Sequence, residues 1–136
     1  MKLYFEIADD MVLAKVIALV EQAEKQLLVS EGEDDSHQVQ PDEKYYKALA
    51  AFLERGGQIV RYYFGSKERF EKCRKSNPSV TYIYAGSMEE YQRAVIADGK
   101  KSMAKIGRQF VFSENPQWIN LLKVYFENCR ITYLSS

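Results

Sequence analysis

The stretch "DEKYYKALAAFLERGGQIVRYYF", residues 42–64, constrains the fold more than any other. Asp42 offers an N-cap oxygen, an Ala/Leu/Phe face follows, and Gly56-Gly57 supplies the left-handed cap that ends a helix. "QIVRYYF" then begins at once and is rich in β-formers. A helix handing over to a strand across two glycines is a layered α/β unit. The same order occurs before and after it. "DDMVLAKVIALVEQAEKQ", with a capping aspartate and apolar residues at Leu13, Val16, Ile17 and Val20, feeds the short buried strand "LLVS". "SKERFEKCRKSN", stopped by Asn77-Pro78, feeds "VTYIYAG".

The rest of the chain changes character. "YQRAVIA" and "KSMAKIG" read as strands joined by Asp98-Gly99, a two-residue hairpin signal, and "QFVFS" as one more. "KLYFEI" near the start alternates well enough for an edge strand, and "EGEDDSHQVQP" reads as a polar loop. The last helix has Asn115 as N-cap, Pro116 at its first position, and a predicted core stripe of Trp118, Leu121, Leu122, Tyr125 and Phe126. "RITYL" closes as coil or a short strand. The fold class expected is α/β, a mixed β-sheet flanked by helices, with a parallel start and an antiparallel end. Residues 1–136 form a single domain in this reading.

Composition narrows the functional classes. Nineteen basic residues against nineteen acidic leave no net field toward nucleic acid or anionic lipid. Cys73 and Cys129 follow no metal-ligand spacing, and no secretory pattern precedes the first strand, so reduced thiols in a cytoplasmic protein are expected. "MVLAKVIALV", broken by Lys15, is too short to span a bilayer.

Three phrases in this order resemble one half of the phospholipase D superfamily. They are "ALAAFLERGGQIVRYYF", "YQRAVIADGKKSMAKIG" and "FSENPQWINLLKVYFENC", together covering roughly residues 10 to 130. The last is similar to the final helix of degenerate members, in particular the effector domains of sugar-responsive archaeal transcription regulators. Family enzymes carry H-x-K-x4-D at the second phrase. There the histidine attacks phosphorus, the lysine neutralises the oxygens, and the aspartate tunes the histidine. This chain has Tyr91, Arg93 and Asp98 at those positions. A phenol, with an ordinary pKa near ~10, is mostly protonated and unsuited to that nucleophilic role. Arginine can still hold an anion bidentately.

The resemblance therefore implies a non-catalytic domain for ligand sensing or for dimerisation and regulation, without a cofactor. Its ligand residues would be Tyr91, Arg93 and Asp98, its ligand small and anionic or sugar-like, and its assembly a homodimer. Nucleic acid is not an expected partner. The alternatives are a residual phosphodiesterase or nuclease using Tyr91 and Arg93, and a pure protein-interaction module. Tyr91 and Arg93, two apart on a strand, would share one face. Lys100, Lys101, Lys105 and Arg108 form a basic stretch nearby. Glu31, Glu33, Asp34, Asp35 and His37 lack the order of a calcium loop and read as solvated. In pairs such as Tyr62-Tyr63 one ring should face inward and one outward.

Overall fold

Three helices each lead into a strand: α1 (Val12–Gln22) into β2 (Gln26–Gly32), α2 (Glu43–Glu54) into β3 (Gln58–Phe64), and α3 (Lys67–Ser76) into β4 (Thr81–Gly86). A short β1 (Phe5–Ile7) precedes them. After them come β5 (Ala94–Ala97), β6 (Lys101–Ile106), β7 (Gln109–Ser113) and α4 (Pro116–Ser135). The computed structural model describes residues 3–33 and 42–135. No helix among the described residues is long and apolar enough to cross a membrane.

The seven strands form one mixed sheet in the order β1-β7-β6-β5-β2-β3-β4. β2, β3 and β4 run parallel, whereas β5, β6, β7 and β1 pair antiparallel. The two parts meet where β5 lies antiparallel to β2, with Leu27, Leu28 and Val29 opposite Ala97, Ile96 and Val95. Both faces are covered. Leu19, Val20, Leu49, Phe52 and Ile59 belong to the core under α1 and α2, and Ile96, Val111, Ile119 and Phe126 to the core under α4.

Local chemistry explains the boundaries. The Asp42 carboxylate accepts from the N–H groups of Lys44 (2.8 Å) and Tyr45 (3.3 Å), which starts α2. Gly56, at φ +92°, ends it. The Arg55 guanidinium then donates to the Val20 and Ala23 carbonyls at 2.8 and 2.6 Å, fastening the end of α2 to the end of α1. Ser66 caps α3 through the Arg69 N–H, and Asn115 caps α4 through Gln117 and Trp118.

Four local expectations need correction. The capping aspartate before the first helix lies instead in a 3-10 turn, Asp9–Met11, and α1 begins at Val12 without a side-chain cap. "RITYL" continues α4 as helix. Of the predicted α4 stripe, Trp118, Leu122, Tyr125 and Phe126 pack on the core together with Ile119 and Cys129, while Leu121 stays 61% exposed. Tyr62 and Tyr63 are both buried, because Tyr62 meets Phe126 of α4 and Tyr63 meets Phe70 of α3 on opposite faces of a fully covered sheet.

Candidate functional site

In open parallel sheets, ligands bind beyond the carboxyl ends of the strands. Here that edge holds Gly32, Glu33, Gly65 and Gly86 together with the segment that leads into β5. Gly32 admits the Tyr91 ring: a Cβ at residue 32 would meet Tyr91 Cε2 at 2.8 Å. The ring also packs on Phe64, centroids 5.5 Å apart, and Phe64 stacks on Tyr125 at 6.1 Å.

Tyr91 and Arg93 lie just before β5, not on it. A 3-10 turn, Met88–Glu90, delivers Tyr91, whose N–H donates to the Met88 carbonyl. The Tyr125 hydroxyl donates to the Glu90 carbonyl and accepts from the Gln92 N–H, both at 2.8 Å. The buried Ser30 hydroxyl donates to the Gln92 carbonyl at 2.6 Å and accepts from the Ala94 N–H at 2.8 Å. Two hydroxyls from distant elements thus fix the backbone on both sides of Gln92. The shared strand face expected for Tyr91 and Arg93 is absent, yet they meet: Arg93 Nε donates to the Tyr91 hydroxyl at 3.4 Å. Burial holds the Tyr125 hydroxyl well above the ordinary phenol value, so it remains protonated.

Asp98 does not join them. It follows β5 at the other end of that strand, in a turn where Asp98 and Gly99 have φ +54° and +68°. Three residues, not two, separate the paired ends Ala97 and Lys101. Its carboxylate accepts from the N–H groups of Glu24 (2.9 Å), Lys25 (2.7 Å) and Gln26 (2.9 Å), leading into β2. Burial pushes this carboxyl up, but the Gln26, Glu24 and Lys25 N–H groups outweigh it and hold it below the usual carboxylate value.

A depressed native pKa gives a stabilisation complete above the unfolded value of ~3.9 and lost as pH falls through the native one. Asp98→Ala is therefore expected to cost about 2 kcal/mol at neutral pH, with the difference shrinking as the pH drops below ~4. Urea unfolding of both proteins across this range checks it. A difference that stays constant into strong acid would contradict the assigned role.

The same edge holds a cluster on the α2–α3 face. Arg61 pairs with Glu31 at 3.2 Å. Burial works against the Arg61 charge, but Tyr45, Glu31 and Tyr82 outweigh it and raise its pKa. Glu33 accepts from the Ser66 hydroxyl at 2.8 Å and pairs with Arg69 at 3.5 Å. Burial pushes Tyr63 up to about 12 and raises the Cys73 thiol, which argues against an activated cysteine. Glu31 is thus part of β2 and paired, not solvated in a loop. Asp34, Asp35 and His37 lie outside the described residues.

The basic stretch is divided. Lys105 stands beside Arg93, its N–H on the Arg93 carbonyl, while Lys101 reaches Gln22 and Glu114 at the opposite end of the hairpin. Sequence reasoning missed Ser30, Tyr125 and the Glu31–Arg61 pair. Only the last left a signal: Gln26 before "LLVS" and Glu31 and Gly32 after it extend that run to the seven residues that pair with β3.

Neither a family model nor a curated protein matches this sequence. Solved structures match its fold. TrmBL2, an archaeal chromatin protein described as showing a novel mode of DNA binding, has a TM-score of 0.64 at 10% identity over 94% of this chain. The chain spans about half of TrmBL2, 52% of its length. Nuc, a phospholipase D family member from Salmonella typhimurium, has a TM-score of 0.61 at 12% identity, covering 88% of this chain and 86% of its own. NucT from Helicobacter pylori has a TM-score of 0.60 at 12% identity, covering 93% and 92%. The fold is phospholipase D-like.

Proposed function

We propose that this chain is a non-catalytic, cytoplasmic phospholipase D-like domain whose Tyr91–Arg93 end binds a small anionic or hydroxylated ligand as a sensing or regulatory module. The observation that carries the reading is the Arg93–Tyr91 contact at 3.4 Å, with a phenol where the family motif has its nucleophilic histidine. A phenol with its ring laid against Gly32 and Phe64 is poorly set to attack phosphorus. A guanidinium beside a hydroxyl remains a good donor to an anion or a polyol.

The test uses the full chain. With bis(p-nitrophenyl) phosphate, wild type and Tyr91→Phe are expected to show the same background rate. In a thermal-shift panel of inorganic phosphate, sugar phosphates and neutral sugars, at least one compound should stabilise the wild type. Arg93→Ala should weaken that binding by about tenfold or more. Turnover abolished by Tyr91→Phe would overturn the non-catalytic reading, and a panel without any shift would overturn the ligand. Duplex DNA belongs in the panel because a neighbour in fold binds DNA, and a zero net charge alone does not set it aside.

A further inference from the structure

A helix on a protein surface normally turns charged side chains to solvent. α1 does not. Between Val12 and Gln22 it carries only two charges, Lys15 and Glu21. Leu13 and Ala14 are exposed, and one turn further Ile17 and Ala18 are half-buried, so an apolar band follows the outer side of this helix. The exposed Met11 extends the band ahead of α1. The inner side of the helix packs on the sheet core through Val16, Leu19 and Val20.

Beside the band runs a concave groove of about 440 Å³ between α1 and α2. Ile17, Ala48 and Ala51 form its apolar part, and Lys44, Lys47, Glu21 and Arg55 stand around them. The Arg55 guanidinium is held by the carbonyls at the end of α1. Lys47 meets the exposed Glu43 at 3.2 Å, a pairing that water screens. Lys44 enters no ion pair among the described residues. On the opposite flank of the band Lys15 reaches over the Phe112 ring, 4.5 Å from its centroid. Bases therefore border the apolar band on both sides, while the acids Asp9, Asp10 and Glu21 stand toward its two ends.

We infer that this surface docks an amphipathic helix of a partner protein, laid along the groove with its apolar face on Leu13, Ile17 and Ala51 and acidic residues along its margins. The shape selects a helix: a groove between two packed helices takes a third by the same ridge packing that joins the first two. A bilayer surface is flat on this scale and would leave the groove unfilled. The charge selects the acidic margins, because carboxylates beside the apolar face meet Lys44 and Lys47 on one flank and Lys15 on the other. The surface lies over α1 and α2, whereas Tyr91 packs in the core under α4. The inference therefore does not rest on what the Tyr91–Arg93 end binds.

The probe is a synthetic helical peptide of about 18 residues, with leucine and alanine on one face and glutamate along both margins. Titrated against the full chain by fluorescence anisotropy, it should bind, and the same peptide with lysine for glutamate should bind at least about tenfold more weakly. Lys44→Glu combined with Lys47→Glu should reverse that preference, a result that a damaged fold would not produce. Leu13→Glu should weaken the acidic peptide by about tenfold or more. All three positions are exposed, and circular dichroism checks the fold of each variant. An acidic peptide that fails to bind, or that binds equally after the charge reversal or after Leu13→Glu, overturns the inference. So does binding to phosphatidylserine vesicles in place of the peptide, lost in Leu13→Glu, which would give the face to a membrane. Self-association in sedimentation equilibrium that Leu13→Glu abolishes would give it to a second copy and overturns it as well.

Discussion

Arg61→Met should lose about 3–5 kcal/mol of stability, because the change strands a carboxylate and not because it removes a contact. The Arg61 and Glu31 side chains are only 15% and 20% exposed and meet at 3.2 Å. Tyr82 adds a long hydrogen bond to Glu31 at 3.5 Å, too weak to replace a guanidinium. A double variant, Arg61→Met with Glu31→Leu, removes both charges and should recover most of the loss. Urea unfolding of wild type, both single variants and the double variant gives the coupling directly. Additive losses would show that the two side chains act separately.

Phe126→Ala should cost about 4 kcal/mol. Phe126 is 1% exposed and stacks on Tyr62, ring centroids 4.6 Å apart and 28° between planes. It belongs with Ile96, Val111 and Ile119 to the core between the sheet and α4. Truncation removes an aromatic ring and leaves a cavity that the sheet is too stiff to close. Leu121→Ala, on the 61% exposed side of the same helix, should stay within about 0.5 kcal/mol of wild type. The contrast matters because the sequence pattern placed both residues on one buried stripe. Equal losses in chemical denaturation would mean that α4 sits rotated from the position described.

What the sequence disclosed was local. "QIVRYYF" coincides with β3, Asp42 and Asn115 cap as expected, and the parallel-then-antiparallel order holds. The misses have non-local causes. Four of the five stripe residues of α4 pack on the core, and Leu121 and Ile119 lie on opposite margins of that face, so tertiary packing alone decides which margin is buried. The alternation in "YQRAVIA" suggested a strand from Tyr91. The ladder starts at Ala94 because the hydroxyls of Ser30 and Tyr125 take up the preceding backbone groups. Asp98 showed its turn chemistry in the sequence, but its three backbone partners lie 72–74 residues away. A local pattern cannot register such distances.

The junction between β2 and β5 bears on how the chain is made. β2 is an interior strand of the finished sheet, between β5 and β3, yet these neighbours arrive at different times. β3 begins at Gln58, whereas β5 ends at Ala97 and the Ser30 hydroxyl waits for Gln92, 62 residues downstream. A chain leaving the ribosome amino end first can assemble the parallel trio while one side of β2 lies bare. At 5–20 residues per second, 62 residues take about 3–12 s to add. This interior strand is therefore enclosed late in synthesis, and a polar hydroxyl at Ser30 makes its waiting edge less adhesive than an all-aliphatic one.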